Sequence, residues 1–205
     1  MTIRLHRGDL PDLARYRKSV AIDTETLGLN PHRDRLCVVQ LSPGDGTADV
    51  VQIAPGQTEA PNLKRLLADS AVVKIFHYAR FDIAVLSNAF GVMPAPLYCT
   101  KIASKLTRTY TERHGFKDLC RELLGVEVSK QQQSSDWGAP VLSPEQQEYA
   151  ASDVRHLHRL REKLDVMLVR EGRKELAEAC FAFLPTRALL DLAGWPEMDI
   201  FAHGA

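Results

Sequence analysis

The sequence predicts an α/β fold, a mixed central sheet flanked by helices, with a helical C-terminal half. Three observations carry this. Short β-rich runs alternate with turn residues through the first third, a helix, strand, helix succession follows, and helical periodicity dominates from residue 100 onward. At 205 residues, 45% hydrophobic and 25% charged, the chain can bury one sizeable core of ordinary globular composition. We expect a single domain, its core over about residues 19–172 and a helical tail over about 173–205.

The runs VAIDTE, LCVVQLS and ADVVQIA are each bounded by turn formers, NPHRDR between the first two and SPGDGT between the second and third. They read as three antiparallel neighbours. APNLKRLLADS reads as a helix, VVKIFH as a fourth strand, and ARFDIAVLSNAFG as a helix ended by Gly91. Helical spacing then runs through TKIASKLTRTY, FKDLCRELLG and the long stretch 143–172. Ser143 is an N-cap there, Pro144 suits the first helical position and Gln146 completes a capping box. KQQQSS, residues 130–135, reads as a connecting loop.

Charge and cysteine content exclude several function classes. Lys plus Arg equals Asp plus Glu at 26 each, so no global positive field captures long polyanions, and any nucleic acid must be held locally. No apolar run approaches the roughly 20 residues that span a membrane, and MTIRLHRGDLPDL lacks a signal peptide's apolar segment. A cytoplasmic location is expected. Cys37, Cys99, Cys120 and Cys180 are widely spaced with no C-x-x-C pair, which favours reduced, mostly buried thiols over a zinc knuckle or disulfide framework.

Four acids occupy positions that should be apolar. On a strand, Asp23 and Glu25 point to the same face; a cation or an ion pair with Lys18, Arg33 or Arg35 would satisfy them. Tyr149, Asp153, Leu157, Leu160, Leu164 and Leu168 form one helical stripe, which puts Asp153 on a core-facing side. Asp82 stands in the first turn of a helix among Phe81, Ile83, Val85 and Leu86, where complementing the helix dipole is an alternative role. Burying an unpaired carboxylate costs several kcal/mol. One shared divalent-cation site accounts for all four acids, and two ions about 4 Å apart suit phosphoryl transfer.

The set D-x-E in VAIDTETLGL, H-x-x-x-F-D in HYARFD and Y-x-x-x-D in EYAASD, in that order, resembles the three exonuclease motifs of the DEDD family, tyrosine subclass. SSDW followed by LSPEQQEYAASDV is similar to ribonuclease D. The chain resembles still more closely the nano-RNase C family of short ribonuclease D relatives, in RDRLCVVQLS, CTKIASKLTRTYT, KQQQSSDW and DIFAH. That resemblance implies a ribonuclease H-like fold, two Mg²⁺ or Mn²⁺ ions, and 3′ to 5′ release of nucleoside 5′-monophosphates. It also implies action on dinucleotides and very short single-stranded RNA, and a homo-oligomeric ring, an octamer.

Carried over by motif, Asp23, Glu25, Asp82 and Asp153 would bind metal and Tyr149 would orient the attacking water. Thr24 falls among the substrate-binding candidates. Leu29 matches a position where related exonucleases wedge an apolar side chain between terminal bases, with core packing as the alternative. Tyr78 replaces an asparagine common in ribonuclease D, so a stacking contact is expected instead. GAPVLS lacks the Arg-Pro-Leu that often follows the tryptophan in ribonuclease D, and the helical nucleic-acid-binding domains of that enzyme have no counterpart in the sequence.

Other candidates carry two readings. His77 is either a packed, hydrogen-bonded residue or a substrate contact. Lys101, Lys105, Arg108, Arg113, His114 and Lys117 surround Tyr110 with only Glu112 as an acid; a solvated face and a phosphate strip both fit, with Lys105 and Arg108 as phosphate contacts in the second. Gln133 and Ser134 either reach a phosphate or belong to a linker. The apolar tail, with Phe181, Leu184, Trp195 and Phe201, covers its own domain or a neighbouring subunit. Two alternatives to a short-RNA exonuclease are a broader enzyme trimming longer RNA or DNA and an inactive nucleic-acid-binding protein.

Overall fold

A computed structural model describes residues 2–129, 131–132 and 134–203. Six strands form one sheet: β1 (Thr2–Arg7), β2 (Ser19–Thr26), β3 (Leu36–Ser42), β4 (Thr47–Gln52), β5 (Val73–Phe76) and β6 (Leu97–Cys99). Their order is β1-β4-β3-β2-β5-β6. β2, β3 and β4 are antiparallel neighbours, as the turn-bounded runs predict, while β1–β4, β2–β5 and β5–β6 pair in parallel. The sheet is therefore mixed. All of β3 is buried, which is why LCVVQLS reads as a continuous rather than alternating run.

The helices are α1 (Pro61–Ala68), α2 (Ala79–Phe90), α3 (Thr100–Thr107), α4 (Phe116–Leu119), which continues into a π turn over Cys120–Leu124, α5 (Pro144–Arg155), α6 (Leu157–Arg170) and α7 (Lys174–Leu192). Gly91 ends α2 in the left-handed region at φ 68°, a conformation that suits glycine. Ser143 and Gln146 close the capping box of α5.

The stretch 143–172 departs from the single helix its stripe predicts. It breaks at His156, so that α5 packs on β2, β3 and β4 while α6 turns to cover α3 and β5. The stripe survives the break: Leu157, Leu160, Leu164 and Leu168 are all buried. β1 and β6 extend the sheet beyond the four strands the pattern marks. The tail folds onto its own chain through Ala177, Phe181, Leu184 and Ala188, while Phe183, Leu189, Trp195 and Phe201 remain exposed. Cys37, Cys99 and Cys120 are buried and all four cysteines are free thiols. Among the described residues, no helix is long and apolar enough to cross a membrane.

Candidate active site

The site forms where the end of β2 meets α2 and α5. β2 supplies Asp23 and Glu25 from one face, and its ladder with β3 slips between Glu25 and Thr26, an irregularity that re-aims side chains at a strand end. α5 supplies Tyr149 and Asp153, one turn apart. Carboxylate oxygens of Asp23, Glu25 and Asp153 lie within 4.8 Å of one another. Asp82, in the first turn of α2, is buried, and its Oδ1 accepts a 2.7 Å hydrogen bond from Thr24 Oγ1.

The ion-pair alternative for Asp23 and Glu25 fails on geometry. Arg33 forks onto Asp34 at 2.7 and 2.8 Å, and Arg35 donates to the carbonyls of Leu36 and Ile53. Among the described residues, no cationic side chain forms a salt bridge with Asp23, Glu25 or Asp82. Burial raises Asp23 to about 7. Burial, then the charges of Asp23, Asp153 and Asp82, raise Glu25 to about 10. Burial and the Asp23 charge hold Asp82 well above the usual carboxylate range. Crowded, desolvated carboxylates such as Asp23, Glu25 and Asp82, with no salt bridge among the described residues, are the donor set a hard divalent ion requires. The residues therefore fit such an ion.

Burial, followed by the charges of Asp153, Glu25 and Asp23, raises the Tyr149 phenol, which keeps its proton. Trp137 packs on the Tyr149 ring with centroids 5.9 Å apart. The loop carrying Trp137 is tied to α5 by Gln146, whose Nε2 donates to Ser135 Oγ at 3.1 Å and to the Asp136 carbonyl at 2.9 Å. The same side chain thus caps the helix and fixes the loop over it.

The carboxylates open into a cavity of about 650 Å³, whose lining includes Thr24, Leu29, His77, Lys117, Ser134 and Trp137. Leu29 is 84% exposed, which excludes the core-packing alternative. Thr100 Oγ1 donates to the Phe76 carbonyl and lies 2.9 Å from His77 Nδ1. With the Thr100 proton on the Phe76 carbonyl, the tautomer protonated on Nδ1 satisfies this pair and leaves Nε2 as an acceptor. Burial, with Lys101 nearby, lowers His77 to about 3, so the ring is neutral. Tyr78 adopts the left-handed region at φ 65°, its exposed ring beneath Lys101 Nζ at 4.2 Å. It borders a neighbouring cavity instead of this one.

One basic candidate needs correction. Arg108 is fully buried: its guanidinium pairs with Glu122 and donates to Ser104 Oγ at 3.0 Å and the Arg113 carbonyl at 2.6 Å, so it cannot meet a phosphate. Lys105 is exposed and outside the cavity lining. Lys117, which the sequence marks only as part of the basic strip, is the residue of that strip in the lining. Thr24 lines the cavity with its hydroxyl proton already given to Asp82. Gln133 lies outside the described residues. Trp137 and Gln146 were visible to the sequence only as a motif member and a capping residue.

Residues 10–169 match the 3′-5′ exonuclease family. A ribonuclease D from Gluconacetobacter diazotrophicus is 38% identical over 165 residues, 80% of this chain and 42% of the relative. The chain spans less than half the length of the curated relatives it matches. Among solved structures, Brucella melitensis NrnC with bound Mg²⁺ is 67% identical with a TM-score of 0.96, and the same protein bound to pGG is 68% identical with a TM-score of 0.97; both comparisons cover 100% of each chain.

Proposed function

Because the chain belongs to the 3′-5′ exonuclease family, we propose that it is a divalent-metal-dependent 3′-5′ exoribonuclease that degrades dinucleotides and short oligoribonucleotides to nucleoside 5′-monophosphates. The observation that carries this reading is the meeting of the Asp23, Glu25 and Asp153 oxygens within 4.8 Å beside Tyr149. Asp23, Glu25, Asp82 and Asp153 would hold two Mg²⁺ or Mn²⁺ ions. When bound, these supply Lewis-acid stabilisation of the phosphoryl oxygens and lower the pKa of water.

The chain's own groups do the positioning. Tyr149, kept protonated, hydrogen-bonds the attacking water and fixes its direction. Thr24 holds Asp82 in one orientation. Nε2 of neutral His77 accepts a hydrogen bond from a sugar hydroxyl, Leu29 lies between the last two bases, and Lys117 and Ser134 face phosphate.

Preference for short RNA is supported by the cavity size of about 650 Å³, within the range that encloses a single small ligand. Zero net charge and the pGG complex of Brucella melitensis NrnC point the same way. The exposed Leu189, Trp195 and Phe201 support a homo-oligomer. The likeness to ribonuclease D favours a second reading, trimming of longer RNA or DNA ends. The test is product analysis on a 5′-labelled RNA dinucleotide with Mg²⁺. Nucleoside 5′-monophosphates that vanish with chelator and in Asp23→Ala support the proposal; 3′-phosphate products, or undiminished activity in Asp23→Ala, oppose it.

A further inference from the structure

Gln40 interrupts the apolar run of β3, a strand buried along its whole length, and is itself 0% exposed. The antiparallel register sets it directly across from Asp23 on β2, with Val50 of β4 on its other side. Residues opposed in this way point to the same face with Cβ atoms about 5 Å apart, and Gln40 Nε2 donates to Asp23 Oδ2 at 3.4 Å. The other end of the amide, Oε1, is buried and without a hydrogen-bond partner among the described residues. A buried acceptor left unpaired costs stability, so packing alone favours an apolar residue at this position.

On the metal site of the exonuclease reading above, we propose that Gln40 is a positioning residue, holding the Asp23 carboxylate in the orientation from which it takes a divalent cation. Asp23, Glu25 and Asp153 bring oxygens within 4.8 Å of one another, and like charges so close turn apart unless something fixes them. Gln40 fixes Asp23 from β3, a strand that carries no acid of its own. An amide suits this task better than a cation, because it donates a hydrogen bond without neutralising the carboxylate. A lysine or arginine side chain at this place would pair with Asp23 and compete with the ion. Thr24 serves Asp82 in the same manner through a hydroxyl, so two of the four acids are held by neutral donors on adjacent strands. Hydrogen-bond partners of metal-ligating carboxylates contribute roughly 10–100-fold to metal affinity.

The test is calorimetric titration of Mg²⁺ into the full chain without RNA, for wild type, Gln40→Met, Gln40→Asn and Val51→Ala, each first melted in chelator. Gln40→Met keeps the volume and removes the donor, whereas Gln40→Asn keeps the amide one methylene short of Asp23. Both are expected to weaken Mg²⁺ binding about tenfold or more. Val51 is buried on β4 and faces away from the side that Gln40 shares with Val50; Val51→Ala lowers the metal-free melting temperature and leaves Mg²⁺ affinity within about twofold of wild type. On an RNA dinucleotide the Gln40 variants need about tenfold more Mg²⁺ for half-maximal rate and approach wild-type kcat when Mg²⁺ saturates. Gln40→Asn decides the matter alone if Gln40→Met does not fold. Mg²⁺ affinity within about threefold of wild type in a folded Gln40 variant overturns the inference, as does an equal loss in Val51→Ala. A wild-type chain that takes up no Mg²⁺ overturns both this inference and the exonuclease reading; one that binds Mg²⁺ but leaves RNA uncut overturns the exonuclease reading alone.

Discussion

Thr24 Oγ1 donates to Asp82 Oδ1 across 2.7 Å, joining β2 to α2 beneath the carboxylate cluster. Thr24→Val keeps the shape and removes the donor, leaving a buried acceptor unpaired at a cost of about 1–3 kcal/mol. Turnover of an RNA dinucleotide is expected to fall about tenfold or more, and Thr24→Ser to retain most of it. Equal turnover in Val and Ser variants would show that the hydroxyl does not position Asp82.

The metal-free cluster is destabilising, because three carboxyl groups are raised by burial and, for Glu25 and Asp82, by neighbouring charge. Glu25→Gln is expected to stabilise the metal-free chain, on the order of 1 kcal/mol in urea unfolding near neutral pH. Added Mg²⁺ should raise wild-type stability by about 2.7 kcal/mol at a hundredfold excess over Kd, and raise that of Glu25→Gln less. A metal-free Glu25→Gln less stable than wild type would argue against electrostatic strain in the cluster.

Arg108 and Lys117 separate fold from binding within the same basic strip. Arg108→Met breaks a buried network with Glu122 and Ser104, costing roughly 3 kcal/mol, at the low end for a buried pair because Glu122 is part exposed. Its folded fraction should keep wild-type KM. Lys117→Ala should leave the melting temperature unchanged and raise KM about tenfold.

Lys74 is fully buried in β5, its ammonium donating to the carbonyls of Asp69 and Ala95. Burial lowers it to about 8, against 10.5 for an ordinary lysine. Folding therefore favours its neutral form. Its contribution to stability is fully present above about pH 10.5 and is lost as pH falls through about 8. Urea unfolding between pH 7 and 10 should show wild type gaining on Lys74→Met as pH rises, by an amount on the order of 2 kcal/mol. A difference independent of pH would mean that Lys74 does not titrate in the folded chain.

The turn-bounded strands and the four awkward acids were legible because alternation and burial leave marks in the sequence. β1 and β6 were not: TIRLHR carries charge on an exposed edge, and LYC is three residues long. The break at His156 follows from the different surfaces that α5 and α6 cover, which a stripe of leucines cannot report. Helical spacing grouped the cations of residues 101–117 without telling which of them turns inward, so Arg108 was misplaced and Lys117 passed over. Trp137 meets Tyr149 through a loop closed by Gln146, a relationship set by tertiary packing.

The central claim is a metal-dependent exonuclease fitted to very short RNA. It is tested most directly by the ratio of kcat/KM for a 5′-labelled RNA dinucleotide to that for a roughly 20-nucleotide RNA in Mg²⁺, with Asp153→Ala alongside; the lengths contrast a strand the cavity can enclose with one it cannot. A large dinucleotide preference, with both activities abolished in Asp153→Ala, is the predicted result. Equal or faster attack on the longer strand would contradict it.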